Sequence, residues 1–188
     1  SKTAFIEMAE ASGLKLLKPK EQNCMNTTTF GTGQLILDAI NKGAKHIILG
    51  IGGSATNDCG IGMATALGYR FLDKTNNQVK PIGSELINIK SIDDTHVDAQ
   101  FKTVNIQIAC DVTNPLFGTN GAAHVYAKQK GASKTDIEYL DQGLQSFSKV
   151  LDGHFNTNIQ DIAGAGAAGG MGAGCITFLS GTLSPGIE

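Results

Sequence analysis

The sequence predicts the α/β class, with a parallel sheet covered on both sides by helices. Short apolar segments typical of strands alternate along the chain with segments that repeat apolar residues at helical spacing. The segment 46–49 is almost entirely apolar, which is typical of a strand buried on both faces of a parallel sheet. Hydrophobic residues make up 41% of the 188 residues, which is enough to build a core and argues against disorder.

The first half of the chain predicts three strands and two helices. Residues 3–8 read as a short buried strand, and residues 28–43 as a helix that begins at a threonine and ends at Gly43. The remaining elements are a strand at 46–49, a helix at 59–67 and a strand at 69–72 that closes in a turn at 73–77. The apolar stripe of the first helix is predicted to consist of Leu35, Ile36, Ala39 and Ile40.

The second half contains the clearest strand and the clearest helix. Residues 104–110 alternate apolar and polar side chains with a period of two. Residues 135–151 repeat apolar positions at helical spacing, with Ser133 as the predicted cap and Asp136 in the first turn. No internal repeat and no long linker divides the chain.

Composition excludes several classes of function. The 15 Lys and Arg against 17 Asp and Glu leave a net charge of −2, which gives no reason to expect nucleic acid or an anionic membrane as a partner. The four cysteines and four histidines are scattered without metal-ligand spacing, so we expect no zinc site and a reducing, cytoplasmic location. The uncharged segment 162–187 is rich in glycine and alanine, which favours close backbone packing over a membrane span.

A glycine-rich segment after the strand at 46–49 is the strongest candidate site. A glycine turn between a buried strand and a helix presents free N–H groups, which is typical of an anion site. The alternative is a tight turn that only caps the helix. The predicted phosphate cradle consists of Gly52, Gly53, Ser54, Thr56 and Asn57.

The same glycine-rich segment also fits a second interpretation, a dinucleotide-binding loop. Gly50-x-Gly52-x-x-Ala55 matches the dinucleotide fingerprint, and Asp73 follows at about the distance of a ribose-binding acid. This pattern keeps an NAD(P)-dependent oxidoreductase open as the alternative function. The helix predicted between these positions is short for that fold.

Three further clusters are candidates for the same chemistry. Asp111 follows a strand end, where it could hold Mg²⁺ or accept a hydroxyl proton, and Asn114 could add a contact. Lys130 could supply positive charge. Gly166 and Gly169 belong to a glycine-rich segment that could form another anion-binding loop or serve packing alone.

Several of these motifs, in this order along the chain, resemble the bacterial type I glycerate kinases. The matching segments are residues 6–9, 28–33, 51–58, 109–123, 129–132 and 164–170. The resemblance covers nearly the whole chain, and several long motifs in order are more specific than one loop.

The resemblance implies ATP-dependent phosphorylation of D-glycerate with Mg²⁺, by two α/β domains that enclose the site. It leaves open whether the product is 2- or 3-phosphoglycerate. Residues 1–188 would form a central segment, mostly the inner domain, with the tail from about residue 161 leading into the other domain. In that context Asp58 and Asp111 are metal or base candidates, and Lys130 is a charge partner. Arg70, the only arginine, is predicted inside a strand, so we expect the carboxylate anchor of glycerate elsewhere and the 188 residues alone to be inactive.

Overall fold

The computed structural model describes residues 2–185, and an α/β architecture is confirmed in that range. The strands are β1 (Lys2–Glu7), β2 (Ala44–Gly50), β3 (Arg70–Leu72), β4 (Ser91–Asp93), β5 (Asn105–Ala109) and β6 (Thr182–Ser184). The helices are α1 (Ala9–Ser12), α2 (Phe30–Asn41), α3 (Ile61–Ala66), α4 (Lys134–Phe155) and α5 (Ala167–Leu179).

The main sheet is parallel, with strand order β1-β2-β5-β6. Its register places Leu49 of β2 opposite Ile6 of β1 and Ile108 of β5. Because all four strands run the same way, their carboxyl ends meet at one edge of the sheet. Strands β3 and β4 form a separate antiparallel pair, so the strand predicted at 69–72 does not belong to the main sheet.

Within the described residues one face of the main sheet is buried, and the opposite face is partly exposed. The buried face carries aliphatic side chains that pack in the core, namely Ile6, Ile47, Leu49, Ile106 and Ile108. On the opposite face Phe5 is 75% exposed, although Ile48 beside it is half-buried. Strand β1 lies at one edge of the sheet, and most of its residues are exposed, so the prediction that it is buried is wrong for the described residues.

Helix α2 lies inside the predicted range and packs against α3. Ile36 and Ile40 are buried as predicted, whereas Leu35 is 36% exposed. The buried face of the helix is therefore centred on Ile36 and Ile40 and does not include Leu35. Gly33 faces α3 so closely that a Cβ there would lie 2.4 Å from the carbonyl oxygen of Met63. The helix pair therefore needs glycine at this position.

Helix α4 confirms the predicted late helix and continues four residues past its predicted end, to Phe155. Ser133 is the N-cap, and its hydroxyl accepts a hydrogen bond from the Asp136 amide while the Asp136 carboxylate accepts from Ser133. The helix ends at Asn156, which adopts the left-handed conformation with φ 52°.

Aromatic rings join the small sheet to α4 and α5. The Phe71 ring of β3 lies edge-on to Phe147 of α4 at 5.8 Å and to Phe178 of α5 at 5.5 Å. Strands β4 and β6, at three residues each, were not predicted. Within residues 2–185, the helices are too short or too polar to cross a bilayer.

Candidate active site

A cavity of about 830 Å³ opens at the carboxyl ends of β1, β2 and β5. Ligand sites of α/β proteins collect at this edge, because the loops that leave parallel strands converge there. The cavity brings together the glycine segment after β2 and the segment after β5. Its lining includes Glu7, Lys15, Gly50, Ile51, Gly52, Gly53, Ser54, Asp111, Tyr126, Gln129, Lys130, Ala167 and Ala168.

The glycine loop presents unused backbone donors to this cavity. The carbonyl oxygens of Gly50 and Gly53 accept hydrogen bonds from the amides of Met8 and Leu14, both at 2.9 Å, which anchors the loop to the segment after β1. The amides of Gly52 and Gly53, by contrast, donate to no acceptor among the described residues. Both glycines are exposed, and a Cβ added to Gly52 would meet no atom within 4 Å. An anion of phosphate size therefore has free N–H groups to bind.

The second half of the predicted cradle turns into the protein interior. Thr56 and Asn57 are fully buried and do not line the cavity, so they lie behind its wall in the described structure. Thr56 Oγ1 and both side-chain polar atoms of Asn57 have no hydrogen-bond partner in the described part of the chain. The sequence predicted that the glycine loop leads directly into a helix. Helix α3 begins only at Ile61, so the loop is separated from the helix N-terminus.

Asp58, predicted as a metal ligand or base, is buried in the described structure, and its carboxylate accepts four hydrogen bonds. Its carboxylate accepts hydrogen bonds from the amide and hydroxyl of Thr29 at 2.8 and 2.9 Å. It also accepts from the amides of Gly60 and Gly62 at 3.1 and 3.2 Å. Burial raises the pKa of this carboxyl group, although the four hydrogen bonds oppose that shift. Since Asp58 is 1% exposed and does not line the cavity, this geometry argues against the predicted role.

Lys130 lies beneath the glycine loop, with only 2% of its surface exposed. Its Nζ donates to Ser54 Oγ and to the carbonyl oxygen of Thr56, both at 2.7 Å. Burial lowers the pKa of Lys130 to about 8, while the nearby Cys24 and Asp58 act in the opposite direction. The charge predicted for this cluster is therefore placed behind the loop rather than in open solvent.

Three exposed carboxylates, those of Glu7, Glu10 and Asp111, line the cavity, and two of them, Asp111 and Glu7, stand directly at strand ends. Asp111 follows β5, as predicted, and Glu7 ends β1. The Glu7 carboxylate lies over Gly50, because a Cβ at Gly50 would be 2.3 Å from Glu7 Oε2. The sheet order places these two acids on either side of β2.

The other predicted site residues, Asn114, Gly166 and Gly169, make hydrogen bonds or close packing contacts within the described part of the chain. Asn114 donates from Nδ2 to the carbonyl oxygen of Asn120 at 2.9 Å and accepts from the Tyr126 hydroxyl at 2.6 Å. Gly166 and Gly169 allow close packing, since a Cβ on either would lie about 2 Å from a backbone oxygen, at 2.1 and 2.0 Å. None of these three predicted residues lines the cavity, where Ala167 and Ala168 lie instead.

The dinucleotide interpretation finds no support in this arrangement. Asp73 follows β3, which belongs to the separate antiparallel pair, and its carboxylate accepts hydrogen bonds from Thr75 and Asn77 within its own turn. Hydrogen bonding to these groups lowers the pKa of Asp73. The predicted ribose acid is thus used by its own turn, away from the main sheet.

Several residues of the cavity lining were not predicted from the sequence, among them Lys15, Tyr126 and Ala168. Lys15 lies in a 3₁₀ turn after α1, and Tyr126 lies in a π-helical segment, Ala123–Ala127. Ala168 adopts the left-handed conformation with φ 53°, which is unusual for a residue with a side chain. No local sequence pattern predicts that these residues line a cavity. A π-helical turn often marks a functional segment, but it is visible only in the structure.

Comparison with known proteins agrees with the geometry. The fold is that of an α/β protein with a cavity at the carboxyl edge of its parallel sheet. The model of the glycerate kinase family matches residues 1–188. The chain belongs to the glycerate kinase family.

Curated relatives match the chain over its whole length. It is 50% identical over 187 residues to a glycerate kinase of Bacillus cereus and 48% identical to the glycerate 2-kinase of Escherichia coli K12, with 100% of this chain and 49% of each relative covered. A crystal structure from Salmonella typhimurium LT2, provisionally assigned as glycerate kinase 2, superposes with a TM-score of 0.95 at 44% identity. That match covers 97% of this chain and 49% of the other. The chain thus spans about half the length of the relatives it matches.

Proposed function

We propose that this chain carries the phosphate-binding half of an enzyme that phosphorylates D-glycerate with ATP. The observation that supports this most directly is the pair of exposed, unpaired amides at Gly52 and Gly53, which line the cavity at the strand ends. Membership of the glycerate kinase family supplies the reaction class, and the Escherichia coli relative's name points to the 2-hydroxyl group as the acceptor.

The residues of the cavity fit a kinase mechanism. Phosphoryl transfer requires positioning of the nucleotide phosphates and electrostatic stabilisation of charge on the transferred group. We assign the cradle to the amides of Gly52 and Gly53 together with the Ser54 hydroxyl, and the positive charge behind it to Lys130. Asp111 is the group we assign to the glycerate hydroxyl, which it would orient and from which it would accept the proton.

The same cavity fits Mg²⁺ in the way that kinases usually hold it. Within residues 2–185 no group of three or more His, Cys, Asp or Glu side chains forms an all-protein metal cage. Magnesium is commonly held by one or two carboxylates together with substrate phosphates, so Glu7 would be its protein ligand while Asp111 serves the glycerate hydroxyl. When bound, the ion would neutralise charge on the transferred phosphoryl group.

We further propose that these residues form one part of a two-domain enzyme. The segment from residue 161 to 185 belongs to the same unit as the rest of the described chain, because β6 pairs with β5 in the main sheet. Two observations support the two-domain arrangement. The chain spans about half of its relatives' length, and one face of the main sheet is open around Phe5. Arg70 pairs with Asp93 in the small sheet and does not line the cavity, so the anchor for the glycerate carboxylate would come from outside the described residues or from Lys15.

The proposed activity is tested by incubating the complete enzyme with ATP, Mg²⁺ and D-glycerate and following the products by ³¹P NMR. We expect ADP and 2-phosphoglycerate to appear together, with no change when NAD is added. Titration of the same enzyme with ATP and with NAD measures binding of each nucleotide. Binding of NAD without any binding of ATP would overturn the proposal in favour of the oxidoreductase hypothesis. A product phosphorylated at the 3-hydroxyl would leave the kinase assignment in place and correct the position.

A further inference from the structure

The hydrogen bond between Lys130 and Ser54 fixes which way the serine hydroxyl can donate. An ammonium group has no lone pair and only donates, so Ser54 Oγ is the acceptor in its 2.7 Å contact with Lys130 Nζ. The hydroxyl proton of Ser54 is then left to point elsewhere. Among the described residues no acceptor receives it, and Ser54 is part of the cavity wall.

The second contact of Lys130 holds the ammonium in this place. Its Nζ donates at 2.7 Å to the carbonyl oxygen of Thr56, two residues further along the same loop. Lys130 itself is held from the other side, since its carbonyl oxygen accepts the amide of Cys24 at 3.1 Å. The loop segment 54–56 and the lysine therefore form one rigid unit behind the cavity wall.

We propose that Lys130 is a positioning residue that acts through Ser54, orienting and polarising its hydroxyl as a donor to a phosphate oxygen bound at the glycine loop. The inference rests on the proposed function, because it requires a polyphosphate in this cavity. It adds that the lysine does not contact the phosphate itself. A charged donor at Oγ makes the hydroxyl proton more acidic, which strengthens the hydrogen bond that Ser54 donates.

A double-mutant cycle on the complete enzyme tests this link. Binding of inorganic tripolyphosphate is measured by calorimetry at pH 7 for Ser54→Ala, Lys130→Met and the double variant. Lys128→Met is the matched control, since Lys128 is exposed, lies two residues away and does not line the cavity. Each single variant is expected to weaken binding about tenfold, the effect of losing one hydrogen bond to a charged group. The double variant is expected to bind about as weakly as either single variant, and the control as tightly as the wild type.

The cycle separates this role from a structural one and from the proposed function. If Lys130 only supported the loop, its removal would also misplace the Gly52 and Gly53 amides, and its loss would greatly exceed that of Ser54→Ala. Losses that multiply to about a hundredfold, or an unchanged Lys130→Met variant, would overturn the inference while leaving a kinase that binds polyphosphate. A wild-type enzyme that binds no tripolyphosphate would overturn the proposed function and this inference together.

A second measurement does not depend on whether Lys130→Met folds. With its pKa lowered to about 8 by burial, Lys130 loses its proton above that pH and can accept from Ser54 instead. The groups that face it are the Cys24 thiol, whose pKa burial raises to about 11, and the buried Asp58. The dissociation constant of the wild type is divided by that of Ser54→Ala at each pH, so that titration of the tripolyphosphate cancels. We expect this ratio to rise toward one as the pH increases from 7 to 9. A ratio that stays constant over this range contradicts the proposal.

Discussion

The carboxylate of Asp58 accepts hydrogen bonds from both the amide and the hydroxyl of Thr29, at 2.8 and 2.9 Å. The Thr29 hydroxyl in turn accepts from the amide of Met63, so one buried acid joins the start of α2 to the first turn of α3. Such a buried carboxylate with several donors is a structural element, because removing it leaves all of those donors unpaired.

Asp58→Asn is therefore expected to lower the free energy of unfolding by about 3 kcal/mol, since an amide NH₂ would face donors in a buried site. Chemical denaturation of the wild type and the variant measures this difference. Asp38→Asn, which alters an exposed pair with Lys42, is the control and should change stability by less than about 0.5 kcal/mol. An unchanged unfolding free energy in Asp58→Asn, with a changed Mg²⁺ dependence, would restore the metal-ligand reading.

Gly52→Ala is expected to fold normally and to bind ATP about tenfold more weakly. Its Cβ meets no protein atom within 4 Å and the backbone there is not left-handed, so nothing in the fold opposes the methyl group. The methyl group would instead stand where the nucleotide phosphate approaches the amide. Gly153→Ala, on the exposed face of α4 with equal space, is the control and should raise stability by up to about 1 kcal/mol without affecting ATP. Equal ATP affinities in the two variants would move the phosphates away from this loop.

Asp111→Asn is expected to reduce kcat about a hundredfold or more, as when a positioned acid–base group is removed. Steady-state kinetics of the complete enzyme at saturating ATP and D-glycerate measure the loss. The melting temperature of the variant is measured beside the kinetics, so that a loss of stability is separated from a loss of catalysis. Turnover at the wild-type rate would show that another group, with Glu7 the first candidate, orients the hydroxyl.

The stability of the protein should depend on the protonation of Lys130. Its pKa falls from 10.5 in the unfolded chain to about 8 in the folded protein because of burial, so the unfolded state binds more protons between these pH values. Stability conferred by this residue is expected to rise from pH 8 to 10.5, by up to about 3 kcal/mol. Unfolding free energies of the wild type minus those of Lys130→Met isolate this contribution from the cysteines, which titrate in the same range. A difference that is flat in pH would mean that the ammonium is not desolvated as the structure implies.

The 188 residues on their own are expected to show no measurable ATP-dependent phosphorylation of glycerate. They hold the glycine loop and Asp111, but their only arginine pairs with Asp93 away from the cavity. A coupled ADP-release assay, run beside the complete enzyme at equal concentration, measures the difference. Robust turnover by the shorter chain would show that Lys15 or another described residue suffices to anchor the glycerate carboxylate.

The sequence determined the order and type of the main elements, because periodicity is a local property. Three strands of the parallel sheet and helices α2 and α4 fall within or around their predicted ranges. The three-residue strands β4 and β6 were missed, because so short a segment carries no measurable alternation. The glycine segment and Asp111, which line the cavity, were also predicted from the sequence, since turn glycines and an acid after a strand are local signals.

Only the tertiary structure decided which polar residues line the cavity and which lie behind the loop. Thr56, Asn57 and Asp58 follow the glycine loop directly, yet they are buried because that segment passes inward against the start of α2 and α5. Lys130 is buried although its neighbours in sequence are exposed, since its partners lie more than 70 residues earlier in the chain. Burial depends on contacts between distant segments, and local patterns carry no information about them.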